Sequence, residues 1–417
     1  MYNLETMEKT LPNGLQVLLI RKKDFAQSLF LLGAPCGGLN IVEEKNGERF
    51  VNPSGCAHFL EHQMFRLNGK DVTGQLAALG ASTNAGTSYT ETVYYFSTTG
   101  DPIPPLKILI DFVQTLDITE ESMDKEKGII LSEYYMYDRQ PESALFKELF
   151  RSLYHTHGLR IDILGTPEDI ENMTVENLRT FYEANYDPSR LVLIGITGHE
   201  LAPIMEAIEK QEAAYPSINH SAPVRVLEED HSTVERAFFE TRMDITVPMA
   251  AIGFKLDPVE DIEESLKDDL IVSLWLDSIF TSMNPDYQTW LDEHLITAMA
   301  GAEEDFTEDH AYVLFYAQTE KPEAFFELVR ELVKKPRTID PEAFRALKIQ
   351  YLARSLRMLD QFESLGMDVI HSRFDHYDYE KSQEMVRTLS LEECEQFLNR
   401  LDFDREAAVI VRPRTEA

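Results

Sequence analysis

Pro53-Ser54-Gly55-Cys56-Ala57-His58-Phe59-Leu60-Glu61-His62 sets two histidines and a glutamate at the spacing H-x-x-E-H. On an α-helix each residue turns by about 100°, so His58 and His62 fall about 40° apart on one face. Two imidazoles so placed can each give one nitrogen to a single zinc ion, roughly 2.0–2.1 Å away. Glu61 stands beside them, near enough to act on a water at that metal. The order is the inverse of the H-E-x-x-H zinc pattern. Ser54 and Pro53 supply helix-starting chemistry, and Phe59, Leu60, Met64 and Phe65 give Cys56–Leu67 an amphipathic stripe. The plain alternative is a solvated helix that carries two histidines by chance. Cys56 invites a ligand reading as well, but a small buried residue is its ordinary role.

A hydrolytic zinc site needs a third protein ligand and an open fourth position. Met123–Tyr137 reads as a helix containing Glu126 and Glu133, two turns apart and therefore on one face within about 20°. One carboxylate could bind metal while the other supports the site from behind; a pair that merely faces solvent is the bland reading. Ala81–Thr98, rich in Ser, Thr, Tyr and Asn, reads as a strand. An exposed strand of small polar residues can add an extended peptide through main-chain hydrogen bonds.

In this order the blocks resemble the pitrilysin/insulysin class of zinc peptidases, to which the mitochondrial processing peptidase and its bacterial relatives belong. Pro53–His62 resembles the metal helix of that class. Gly80-Ala81-Ser82-Thr83-Asn84-Ala85-Gly86-Thr87-Ser88, followed by Thr92-Val93-Tyr94-Tyr95-Phe96, resembles its substrate-binding edge strand. Glu126-Lys127-Gly128-Ile129-Ile130-Leu131-Ser132-Glu133 has its two glutamates, and Leu164-Gly165-Thr166 and Tyr186–Leu191 resemble later landmarks. The likeness is strong to about residue 200 and architectural afterwards. It implies that His58, His62 and Glu133 bind Zn2+, that Glu61 is the general base, and that Glu126 is an auxiliary carboxylate. It also implies that the substrate adds as a β-strand, with Asn84, Ala85 and Gly86 as contacts. Many members carry a large aromatic where this chain has Gly86, which suggests a roomier subsite, although glycine in a strand can also mark a bulge.

The wider sequence sets the frame. A chain of 417 residues should hold two or more domains. The expected fold is α+β: two related α/β-sandwich domains, each a mostly antiparallel sheet flanked by helices, from a duplicated unit. Residues 1–215 form the zinc-binding domain in this reading, 216–232 (with Pro216, Asn219, Ser221 and Pro223) a linker, and 233–417 a second domain without zinc. A hairpin opens the chain: Leu4–Thr10, a Pro12-Asn13-Gly14 turn, then Leu15–Arg21. Strands near 235–257 open the second half, and helices follow near 260–283, 321–335 and 341–360. Thr174–Asn185 and Leu391–Leu401 look helical, and each precedes an apolar strand, Leu191–Ile196 and Ala407–Val411. His371 and His376 read as surface or packing residues.

No run of about 20 apolar residues exists to span a membrane. Met1-Tyr2-Asn3-Leu4-Glu5 lacks the features of a signal peptide, and three cysteines do not suggest a disulfide framework. A cytoplasmic protein is the simplest expectation. A net charge of −34 argues against nucleic acid; it can steer basic peptides or simply maintain solubility.

One absence stands out. Self-sufficient members of the class carry an Arg and a Tyr in a second-domain stretch resembling L-R-E-x-x-G-L-A-Y. The corresponding Tyr287-Gln288-Thr289-Trp290-Leu291-Asp292-Glu293-His294-Leu295-Ile296 has neither in place. The resemblance therefore implies a heterodimer with a related subunit that supplies them, in preference to a homodimer. Three functions stay open: a zinc endopeptidase acting on peptides, unfolded segments or leaders; a non-catalytic peptide-binding or scaffold subunit of the same fold; and another metal-dependent hydrolase using the same ligands. The intact Glu61 speaks against the second, and the strand beginning at Ala81 against the third.

Overall fold

A computed structural model describes residues 4–217, 222–227 and 229–414. Met1–Asn3, and Asn219 and Ser221 of the expected linker, lie outside the described residues. The chain forms two compact units. The first is Met1–Tyr134, Ile161–Val226 and Met358–Tyr379; the second is Tyr135–Arg160, Leu227–Arg357 and Glu380–Ala417.

The sheet of the first unit holds β1 (Glu5–Thr10), β2 (Gln16–Arg21), β3 (Ser28–Ala34), β4 (Ala81–Thr87), β5 (Thr92–Thr98) and β6 (Val192–Thr197), in the order β1-β2-β6-β3-β5-β4. Only β2 and β6 run parallel; every other neighbouring pair is antiparallel. The central strands β3 and β6 are buried along their whole length and apolar except at Ser28 and Thr197, whose hydroxyls pair at 2.7 Å, as strands covered on both faces must be. Polar β4, at the edge, alternates between exposed and half-buried residues from Ser82 onward. The opening hairpin forms as its turn residues require: Gly14 adopts φ 91° and its N–H donates to the Leu11 carbonyl at 2.9 Å.

Ala81–Thr98 differs from the single strand expected of it. It is the hairpin β4–β5, turned at Ser88–Glu91, where the Ser88 hydroxyl accepts from the Thr90 and Glu91 N–H groups at 3.2 and 3.0 Å. A serine that bonds its own following backbone is a turn signal that composition alone hides among strand-forming threonines and tyrosines.

The second unit repeats the plan. Its strands β7 (Phe238–Met243), β8 (Met249–Leu256), β9 (Ala300–Phe306), β10 (Ala311–Gln318) and β11 (Glu406–Pro413) lie in the order β7-β11-β8-β10-β9. Here β7 and β11 are parallel, as β2 and β6 are, and the other pairs antiparallel. Strand for strand this matches β2-β6-β3-β5-β4, so the duplication extends to topology. In this register β9 is the counterpart of β4.

Four helices matter below: α1 (Cys56–Met64), α2 (Glu120–Asp138), α3 (Pro141–Leu153) and α4 (Phe362–Phe374). In the second unit α3 packs across β8 and β11; in the first, α4 packs across β3 and β6. Phe362, Leu365, Val369 and Ile370 of α4 form a core cluster with Leu29, Leu31, Ile194 and Ile196. The approach is so close that a Cβ on Gly366 would press into the Leu31 side chain. Each unit thus takes one covering helix from the other half of the sequence. The span 216–232 is not wholly a linker either, since Val224–Arg225 pairs with Val42–Lys45 in a small three-stranded sheet.

Candidate metal centre

The position of α1 is fixed at its first residue. Gly55 precedes the helix at φ 76°, and a Cβ there would collide with the Leu164 carbonyl. Gly165, at φ 88°, faces the Ser54 carbonyl in the same way. The Ser54 hydroxyl donates to Asp169 and accepts from the Thr166 N–H at 3.0 Å, and the Ser54 N–H reaches Asp169 at 3.1 Å. The Leu164-Gly165-Thr166 landmark is therefore the seat of the motif helix. Farther along α1, the Gln63 amide donates to the Ser122 carbonyl at 3.3 Å and accepts from the Ser122 hydroxyl at 2.8 Å. This clamp sets α1 against the first turn of α2, with His58, His62, Glu126 and Glu133 on the facing sides.

Those four side chains converge. One ligand atom from each of His58, His62 and Glu133 lies within 4.8 Å of the others. Glu133 Oε2 is 3.8 Å from His58 Nε2 and 3.4 Å from His62 Nε2. Ligands bound tetrahedrally at 2.0–2.1 Å stand roughly 3.3–3.4 Å apart, so the cluster is near that spacing. The donor set, two imidazoles and one carboxylate, is that of hydrolytic zinc sites, and the residues fit the ion. His62 Nδ1 lies 2.9 Å from Glu126 Oε1. Assigning the proton to Nδ1 leaves the lone pair on Nε2, toward Glu133.

The electrostatics agree. Burial, with the neighbouring His62, pushes the His58 pKa down to about 3, so its imidazole is neutral and able to donate a lone pair. Burial opposes charge on His62, but the Glu126 hydrogen bond and the charges of Glu61, Glu126 and Glu133 outweigh it and raise the pKa. Burial also raises Glu61, against the lowering effect of the Thr87 hydroxyl, which donates to Glu61 Oε2 at 2.7 Å. Cys56 is buried, and burial drives its thiol far above the ordinary range; it packs as a neutral residue.

Asn84, Ala85 and Gly86 lie on the edge strand β4, Asn84 and Gly86 exposed and Ala85 packed against the core. The next residue along, Thr87, touches Glu61. Sequence reasoning missed Thr87, Gln63 and Ser122. Period-two alternation does put Thr87 on the face of Thr83 and Ala85, but nothing local says that α1 lies against it.

A second group capable of holding metal, His157, Asp309 and His310, lies in the other unit. The Leu159 N–H donates to His157 Nδ1 at 3.2 Å, which puts the His157 proton on Nε2, 3.3 Å from Asp309. His310 is held at Nδ1 by Asp309 at 2.7 Å and at Nε2 by Asp305 at 3.0 Å. No imidazole nitrogen there keeps a lone pair for a metal. Burial disfavours the His310 charge, yet the bonds to Asp305 and Asp309 raise its pKa to about 9. This is a buried ion network.

Among the described residues no helix is long and apolar enough to cross a membrane. The insulinase (peptidase family M16) pattern matches residues 46–167, and the peptidase M16 inactive-domain pattern matches residues 172–351. The zinc protease YmfH of Bacillus subtilis is 30% identical over 373 residues, 88% of this chain and 86% of that protein. The mitochondrial-processing peptidase subunit beta of Neurospora crassa is 28% identical over 261 residues, 61% of this chain but only 53% of that subunit. The crystal structure of an M16-like peptidase from Alicyclobacillus acidocaldarius superposes with a TM-score of 0.94 at 29% identity, covering 99% of both chains. A Helicobacter pylori protease, at 18% identity and a TM-score of 0.85 over 98% of this chain and 100% of that one, shares the fold.

Proposed function

This chain belongs to peptidase family M16, and on that premise we propose that it is a zinc-dependent endopeptidase that cleaves peptides, unfolded segments or leaders. The observation that carries the proposal is the convergence of His58, His62 and Glu133, with Glu61 alongside. In this reading His58, His62 and Glu133 hold Zn2+, and Glu126 fixes the tautomer of His62. When bound, zinc supplies Lewis acidity toward the scissile carbonyl and lowers the pKa of water at its open position from 15.7 to about 7. Glu61 takes the proton from the attacking water and passes it to the leaving amine. The Thr87 hydroxyl, donating to Glu61 Oε2, keeps the carboxylate oriented for that transfer. The edge of β4 binds the substrate as an added strand at Asn84, Ala85 and Gly86.

The missing Arg and Tyr near Tyr287–Ile296 support a heterodimer in which a related subunit completes the site. A relative that is itself named a subunit of a processing peptidase points the same way. Three buried free cysteines suit a reducing compartment, hence the cytoplasm. Cleavage of a generic quenched peptide, by the purified chain alone and after mixing with the related subunit, tests the pairing. Activity should rise sharply on mixing; full activity alone would sink the heterodimer. A Glu61→Gln chain should bind zinc and cleave roughly 10²–10⁴-fold more slowly in either arm.

A further inference from the structure

The edge strand β4 has two faces, and the second is not used by the metal centre. Thr83, Ala85 and Thr87 point toward α1 and the core, Thr87 to Glu61 itself. Ser82, Asn84 and Gly86 alternate onto the other, exposed face. Gly86 is unusual there. Its φ lies outside the left-handed range, and a Cβ built on it would meet nothing within 4 Å. Neither the backbone nor packing requires glycine at this position, and its effect is to leave open space above the strand.

A carboxylate stands on the same face, held beside Asn84. Asn84 pairs across the hairpin with Tyr95, and Gly86 with Val93. The Asn84 amide lies 3.3 Å from the Tyr95 hydroxyl, so the tyrosine leans over β4. That hydroxyl donates at 2.7 Å to Oε1 of Glu363, an exposed residue in the first turn of α4. Among the described residues no Lys, Arg or His stands within ion-pair distance of Glu363. Tyr95 thus holds an unneutralised carboxylate over the strand while leaving its second oxygen to a ligand.

We propose that this outer face of β4, open above Gly86 and bounded by Asn84, Tyr95 and Glu363, is a specificity subsite that selects a lysine or arginine side chain of the bound peptide. The inference rests on the reading that a peptide adds to β4. Side chains of an added strand alternate between the two faces, and a neighbouring strand lies about 4.8 Å away. The residue beside Gly86 therefore projects onto this face, where a long cationic side chain reaches the free Glu363 oxygen and an acidic one is repelled. The chain's net charge of −34 gathers basic peptides without regard to position; Glu363 converts that general attraction into one at a single register.

The test is direct binding, so that it does not depend on turnover. Neutral fluorescent peptides carrying one Arg, Lys, norleucine or Glu at successive positions are titrated against the full chain in the Glu61→Gln background. At one position Arg and Lys should bind roughly fivefold tighter than norleucine, and Glu weaker. Glu363→Gln should erase that positional preference and Glu363→Lys should reverse it. Gly86→Phe should erase it by filling the space. A preference for Arg equal at every position, or one that survives Glu363→Gln, overturns the proposal and leaves only non-specific attraction. Loss of zinc chemistry would register separately, in the Glu61 comparison.

Discussion

Glu126 is not among the proposed ligands of the ion, yet its contact with His62 Nδ1 leaves Nε2 to face the site. Partners of that kind are usually worth 10–100-fold in metal affinity. Glu126→Ala should therefore weaken zinc binding by about that factor in competition with a chromophoric chelator, and Glu126→Gln, which keeps an acceptor, should recover part of it. Unchanged affinity in the alanine variant would contradict the tautomer assignment. His310 gives a second prediction. Its pKa stands at about 9 in the folded chain against an ordinary 6.5. A raised pKa means the protonated form is the stabilising one. The contribution is complete below about pH 6.5 and fades as pH climbs through 9. At 1.36 kcal/mol per pKa unit it amounts to about 3 kcal/mol, with little solvent screening because only 4% of the side chain is exposed. His371, held between Glu91 and Asp375, is also raised to about 9 and loses stability in the same window. The informative quantity is thus wild type minus His310→Gln in urea unfolding. That difference should shrink between pH 6.5 and 9.5; a constant difference refutes the ion network.

At the scale of elements, α1 depends on a junction where backbone meets backbone. Gly55→Ala would place a methyl group on the Leu164 carbonyl in a left-handed conformation that alone costs about 1–2 kcal/mol. Such a change should lower the unfolding midpoint markedly, whereas Gly86→Ala, with no steric neighbour, should leave it nearly unmoved. Equal midpoints would show that the junction does not hold α1. The elements near the site were legible in the sequence because their signals are local: the His58–His62 spacing, the seven-residue separation of Glu126 and Glu133, the Pro12-Asn13-Gly14 turn. The exchange of α3 and α4 was not. An amphipathic helix shows which face it buries, and Phe362, Leu365, Val369 and Ile370 do so, but which sheet receives that face is settled by long-range packing. The bond from Thr87 to Glu61 was hidden for the same reason, joining a strand and a helix whose contact no local pattern encodes.

In the whole molecule, one strand order occurs twice among the described residues, and the proposed metal ligands lie in one of the two units. β9 holds the place of β4, yet Glu303, Glu304 and Asp305 stand there, and His155, His157 and His310 of that unit pair with carboxylates. Duplication therefore gives two sheets of one strand order, one of which carries the residues proposed to hold zinc. The claim on which everything else depends is that His58, His62 and Glu133 hold zinc for Glu61 to use. Zinc content and quenched-peptide cleavage, measured together on wild type and Glu61→Gln, with and without the related subunit, test it most directly. The account predicts about one zinc per chain in both proteins and a loss of roughly 10²–10⁴-fold in turnover for the variant. Cleavage by Glu61→Gln at the wild-type rate, or a wild-type chain that binds no zinc, would contradict it.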